Sequence, residues 1–157
     1  MAALPQDLVA PLKPFLKKAG IEIEEGDYIL QVIETLQPRS KTLEDMAEAA
    51  LFYYLSDISY EEKAARKFLK PAALEPVKIL TEKLAALEDY SHSNLEEVFK
   101  AVMDETGLKL GKIAQPVRVA LTGRTASPGI FEVIAILGKE RVIPRLNKAI
   151  SFIEANL

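Results

Sequence analysis

Apolar residues in this chain recur at spacings of three and four and almost nowhere alternate one by one. That spacing lines up one face of an α-helix, whereas a half-buried strand needs strict alternation. Leu8, Leu12 and Phe15-Leu16 form one such face, with Gly20 as a helix stop. Ile29, Val32-Ile33 and Leu36 form a second, starting near Asp27 and ending by Pro38, because the residue before a proline avoids the helical region. Leu43, Met46-Ala47 and Ala50-Leu51 form a third, with Thr42 as its N-cap. The class this dictates is all-α.

Local signals punctuate the rest. "SYEE" (Ser59 to Glu62) and "SNLE" (Ser93 to Glu96) read as capping boxes opening a fourth and a sixth helix, with a fifth from Pro71 to Leu87 between them. Gly107 closes the sixth. "KLGKIAQPVRVALTG" reads as two short helical pieces broken near Pro116 and stopped at Gly123. Ser127-Pro128 has the form of an N-cap followed by proline at the first helical position. A last helix covers Lys139 to Ala155. The expectation is an irregular α-helical cage of about nine or ten short helices in two packed subdomains, residues 1–70 and 71–157, with Pro11, Pro14, Pro76 and Pro144 distorting their helices.

Charge is where the chain departs from an ordinary soluble globule. The formal net charge is −3, which argues against a general nucleic-acid coat or a membrane-surface protein. From Gly107 to Lys148, however, there are eight bases and only two acids, a local balance of +6 that leaves −9 for the remainder. Such asymmetry points to an anionic partner for the C-terminal part, or to a solvated basic surface. The absence of cysteine excludes disulfides and thiolate zinc sites and suits a cytoplasmic home. No apolar run approaches the roughly 20 residues of a membrane span. "MAALPQDL" lacks the pattern of a secretion signal, and Met1-Ala2 reads as a start added to a fragment.

Catalytic groups are scarce. His92 is the only histidine and sits in the polar stretch "SHSN", where an exposed residue beside a helix cap is the simpler reading. No paired histidines, HExxH or calcium-loop pattern occurs, so neither a catalytic nor a metal site is expected. "LGKE" lacks both the upstream glycine and the following Ser/Thr of a phosphate loop. The acid pairs Glu24-Glu25, Glu61-Glu62 and Glu96-Glu97 lie near helix starts, where the helix dipole favours them. "LFYY" (Leu51 to Tyr54) is an aromatic cluster that fits a core better than a base-stacking platform.

One stretch resists the bland reading. "AQPVRVALTGRTASPG" (residues 114 to 129) carries Arg118 and Arg124, two prolines, two glycines and no acid. A helix must stop at Gly123 and another restart near Ser127-Pro128, leaving unpaired N–H groups beside two arginines. That corner suits an anion or the polar edge of a base, and it equally suits an ordinary interhelical connection.

The residues from Lys109 to Leu146, "KLGKIAQPVRVALTGRTASPGIFEVIAILGKERVIPRL", closely resemble the C-terminal end of bacterial glutamyl-tRNA synthetases. "KPFLKKAG", "IETLQPRSKTL" and "EKAARKFL" fall upstream in that family's order, so the resemblance covers essentially the whole chain. The nucleotide-binding half with HIGH-like and KMSKS-like signatures does not occur in it. The resemblance implies an anticodon-binding region with no cofactor of its own. It also implies a parent class I ligase that uses ATP and magnesium, works as a monomer, and binds the tRNA-Glu anticodon loop but neither DNA nor membrane.

Residue by residue, Arg39 of "QPRS" matches the family arginine that reads the third anticodon base, and arginine there is associated with charging tRNA-Glu only. Arg118 matches one that holds the middle of the anticodon. Ser127, Pro128 and Ile130 match the turn that contacts the first base, and Lys100 falls where some members carry an arginine near the RNA. Arg124 completes the basic corner. RNA sequence is read mostly on unstacked loop bases, and arginine offers both a planar stacking surface and a rigid donor fork. Ser127 stands where threonine is frequent, which keeps the hydroxyl, and Pro144 falls in a final helix that is usually continuous. Without the resemblance, a helical protein-interaction module with a basic docking end fits the same composition.

Overall fold

Nine α-helices and one turn of 3-10 helix make up the fold in a computed structural model that describes residues 3–157; Met1 and Ala2 lie outside the described residues. The helices are α1 (Pro5–Lys18), α2 (Asp27–Leu36), α3 (Leu43–Tyr54), α4 (Glu62–Phe68), α5 (Pro71–Ala86), α6 (His92–Thr106), α7 (Leu110–Thr122), α8 (Ile130–Leu137) and α9 (Lys139–Ala155). The 3-10 turn, Gln37–Arg39, follows α2. No strand occurs among the described residues, as the apolar spacing requires. No helix among them is long and apolar enough to cross a membrane.

The chain divides into two compact units, one ending at Ser56 and the other Asp57–Leu157. The seam therefore lies upstream of the expected boundary near residue 70. The reason is α4, a seven-residue helix too short to stand alone, which packs against α7 and so belongs to the second unit.

In the first unit α1, α2 and α3 pack on one another around Leu12, Leu16, Ile29, Ile33, Met46 and Tyr53, all fully buried. The Thr42 hydroxyl accepts the Asp45 N–H at 3.1 Å, the expected cap of α3. The aromatic run turns inward: Tyr53 hydrogen-bonds Thr35 at 2.9 Å, Tyr28 donates to the Tyr53 carbonyl, and Tyr54 meets Tyr28 edge-on at 5.3 Å.

In the second unit α5 packs along α9 and against α6 and α7, burying Val77, Leu80, Leu84, Phe99, Val117 and Leu146. α7 corrects one expectation. It runs unbroken through Pro116, which lies on the buried side among Ile113, Val117 and Ala120. A proline inside a helix costs about 3 kcal/mol. Burying each large apolar neighbour returns roughly 1.5–3 kcal/mol, so packing outweighs the break. α9 likewise continues through the exposed Pro144.

Three helix starts also differ from the sequence reading. Ser59 caps nothing: α4 begins at Glu62 with Glu61 as N-cap, because the Glu61 N–H donates to the Gly123 carbonyl at 2.8 Å and holds this stretch extended. α6 starts two residues early, its cap being Ser91, whose hydroxyl accepts the Asn94 N–H at 3.3 Å. α8 starts two residues late, with Gly129 rather than Ser127 at the N-cap, because the Ser127 hydroxyl is engaged elsewhere.

Candidate nucleic-acid interface

α7 ends at a corner held from three directions. Gly123 adopts the left-handed conformation, φ 78°, which favours glycine. The hydroxyl of the preceding Thr122 donates to the Arg118 carbonyl at 2.8 Å and accepts the Arg124 N–H at 3.1 Å, tying the last turn to the loop. Arg145 of α9, only 5 % exposed, donates from Nη1 to the Leu121 carbonyl at 2.7 Å. A guanidinium at a helix C-terminus satisfies an orphan carbonyl and suits the negative end of the dipole. The third direction is the extended 59–61 segment: a Cβ on Gly123 would stand 2.2 Å from the Ser59 carbonyl oxygen.

On this frame the half-buried Arg118 is clamped. Its Nε donates to the Ser127 hydroxyl at 2.8 Å and its Nη1 to the Gln115 side-chain oxygen at 3.0 Å. Two bonds from different segments fix the plane of the guanidinium, the condition for stacking on a base or presenting a donor fork. Ser127 accepts from Arg118 and donates to the Pro128 carbonyl at 2.8 Å, so one hydroxyl orients both the arginine and the turn. Arg124 is exposed beside them. Pro128 and Ile130 are buried, Ile130 at 6 %, so the turn offers outward backbone more than their side chains.

The start of α8 is not an open anion site. No side chain caps it, but Glu132 lies in its first turn and folds back towards Gly129, where an added Cβ would stand 3.7 Å from the Glu132 carboxyl carbon. An acid already answers the helix dipole there, which leaves the corner better suited to a base edge than to a phosphate.

The remaining residues expected from the sequence make none of the hydrogen bonds of this clamp. Lys100 is exposed on α6, a helix that packs against α7 and α8. Arg39 is exposed at the end of the 3-10 turn in the first unit, just before the buried Ser40, and no side chain among the described residues pairs with it. His92 is exposed, 3.0 Å from Glu96, with its ring edge-on to Phe131.

The basic segment does not form one face of spare charge. Lys148 donates at 2.6 Å to both Asp57 and the Ile58 carbonyl and lies over the Tyr60 ring at 5.2 Å. That ammonium, by hydrogen bond and by charge, holds the Asp57 carboxyl below the usual aspartate range. Lys139 donates to the Ala85 carbonyl at 3.0 Å, and Arg145 is buried. Three residues given no role in the linear reading take part here: Gln115 in the clamp, and Thr122 and Arg145 in the frame beneath it. Only Gln115 left a signal, one turn before Arg118 in "QPVR".

No three His, Asp or Glu side chains among the described residues gather closely enough to hold a metal ion. What the arrangement offers is an oriented planar cation beside a hydroxyl and a stiff turn.

Residues 7–150 match the family model described as anticodon binding domain. The chain belongs to this family. Among curated proteins, this family member is 51 % identical over 150 residues to a glutamate–tRNA ligase of Syntrophobacter fumaroxidans and 48 % identical over 150 residues to one of Geobacter sulfurreducens. In both cases the match covers 96 % of the chain and 32 % of the relative, so the chain spans about a third of their length. Its fold matches a crystal structure of a glutamate tRNA ligase from Elizabethkingia meningosepticum in complex with its amino acid. The TM-score is 0.85 at 25 % identity, covering 96 % of this chain and 30 % of that one.

Proposed function

We propose that this chain is the tRNA anticodon-binding region of a glutamate–tRNA ligase. It selects the tRNA-Glu anticodon loop for ATP-dependent glutamylation performed by a catalytic part of the parent enzyme outside these residues. The observation that carries the reading is the clamped Arg118: a guanidinium fixed by Gln115 and Ser127 beside a stiff turn is arranged to recognise a base. ATP and magnesium belong to the catalytic part, and the parent acts as a cytoplasmic monomer.

Arg39, on its proline-stiffened turn, reads the third anticodon base, and Arg118, Ser127, Pro128 and Ile130 read the other two. Arg124 and Lys100 add charge beside the loop. Specificity thus rests on a few oriented groups, which lets a chain of net charge −3 bind RNA.

Binding of synthetic anticodon stem-loops tests this directly. Those of tRNA-Glu and tRNA-Lys differ at the third anticodon base, and the protein is expected to hold the first more tightly. Equal affinity for both would return the chain to the class of helical interaction modules.

A further inference from the structure

A second basic feature lies away from the corner, at the opposite end of α7. A depression of about 340 Å³ is lined by Lys67, Lys70 and Lys112, with Phe68, Ala72 and Gly111 among them. No acid lines it. All three lysines are exposed, and none pairs with a carboxylate among the described residues; Lys67 lies over the Phe68 ring at 5.3 Å. In a chain with more acids than bases, three lysines left unneutralised around one hollow leave a local positive potential.

The floor of the hollow strengthens that charge. It includes the first residues of α5 and α7, and neither first turn carries an acid or a side-chain cap. Gly111 has open space where its Cβ would be, so a ligand can approach the backbone closely there.

Geometry joins this hollow to the corner. Gly111, Gln115 and Arg118 stand at i, i+4 and i+7 on α7 and therefore share one face of the helix. Seven residues of helix advance about 10 Å. The hollow and the corner are therefore close enough for one short stretch of nucleic-acid backbone to reach both.

We propose that Lys67, Lys70 and Lys112 form a phosphate-binding pocket that grips the RNA backbone of the anticodon stem while the corner reads the loop. This rests on the RNA-binding reading above. Exposed ammonium groups around one hollow suit successive backbone phosphates, one contact each, and contacts of this kind position the RNA without reading its sequence.

The test is the salt dependence of stem-loop binding by the protein with all three lysines changed to glutamine (K67Q, K70Q, K112Q). Each lost phosphate contact lowers the slope of log affinity against log salt by about 0.7–0.9. The triple variant should therefore be shallower than the wild type by about 2–3, weakening the tRNA-Glu and tRNA-Lys loops alike and leaving their ratio unchanged. The corresponding lysine-to-arginine protein should keep the wild-type slope. If the glutamine triple variant melts differently from the wild type, Lys112→Gln alone carries the same test, with one contact's worth of slope. A wild-type slope in the glutamine protein, with the preference for the tRNA-Glu loop intact, would overturn the pocket alone. A wild-type protein that binds neither loop would overturn both readings.

Discussion

Arg118 Nε and Ser127 Oγ meet at 2.8 Å across nine residues of chain, joining the last turn of α7 to the turn before α8. The bond makes the arginine's direction depend on the loop's conformation, and the loop's on the arginine. Neither residue alone defines the geometry of this corner.

Replacement of Arg118 by alanine should cost on the order of 1–3 kcal/mol of stem-loop affinity, the range for a bidentate base contact. Arg118→Lys, which keeps the charge and loses the fork, should fall between alanine and wild type. Ser127→Ala should weaken binding less than Arg118→Ala, and Ser127→Thr should retain it. Titration calorimetry at moderate salt ranks the four, and equal affinities would remove the clamp from the interface.

Arg39→Gln should weaken binding to the tRNA-Glu stem-loop while narrowing its preference over the tRNA-Gln stem-loop. Glutamine can donate one hydrogen bond and accept another, so it tolerates guanosine in place of cytosine at the third position. A parallel fall for both loops would make Arg39 a phosphate or surface residue.

Gly123 and Gly107 provide a matched pair for stability. Both are left-handed, at φ 78° and 73°, but a Cβ at Gly107 meets nothing within 4 Å, whereas at Gly123 it meets the Ser59 carbonyl oxygen. Gly107→Ala should cost about 1–2 kcal/mol, the strain of the conformation alone. Gly123→Ala should cost clearly more and loosen the Glu61–Gly123 hydrogen bond, which thermal melting and amide exchange at Glu61 would register. Equal melting temperatures would mean that the 59–61 segment yields without penalty.

Two tyrosines give an alkaline signature. Burial pushes the Tyr60 phenol up to about 12, aided by the Asp57 charge, and burial raises Tyr90 to about 12. A raised folded value favours the neutral phenol, so the contribution is complete below the ordinary value of 10.0 and is lost as pH rises towards 12. The Tyr60 hydroxyl is buried without a hydrogen-bond partner, while that of Tyr90 donates to the Leu84 carbonyl at 2.7 Å. Tyr60→Phe should therefore be neutral or stabilising at pH 7, and Tyr90→Phe should cost about 1 kcal/mol. Urea melts at pH 7 and 10.5 separate the two, and a clear loss of stability in Tyr60→Phe at pH 7 would contradict the burial of an unsatisfied hydroxyl.

At the acid end the sign reverses. Asp57 has a depressed folded value through Lys148, so its contribution is complete above the ordinary aspartate value and is lost as pH falls through the lower folded one. Asp57→Asn should flatten the acid limb of stability measured by melting between pH 5 and pH 2. An unchanged limb would show that the ion pair, exposed as it is, adds nothing.

The sequence by itself determined the elements whose causes are local. Three- and four-residue spacing set α1, α2, α3 and α9, Thr42 capped α3, and Gly107 and Gly123 stopped α6 and α7 where left-handed turns were needed. Arg118 and Ser127 were legible as a basic, hydroxylated corner. What only the tertiary structure decided depended on partners distant in the chain. Pro116 stays inside a continuous helix because its neighbours are buried against other helices, and Ser59 loses its cap because Gly123 claims the adjoining backbone. Arg145 and Lys148, bases in any count of charge, are used inside the unit by Leu121, Asp57 and Ile58. Linear patterns record propensity and face, but hydrogen bonds and buried contacts between distant segments exist only once packing brings their ends together.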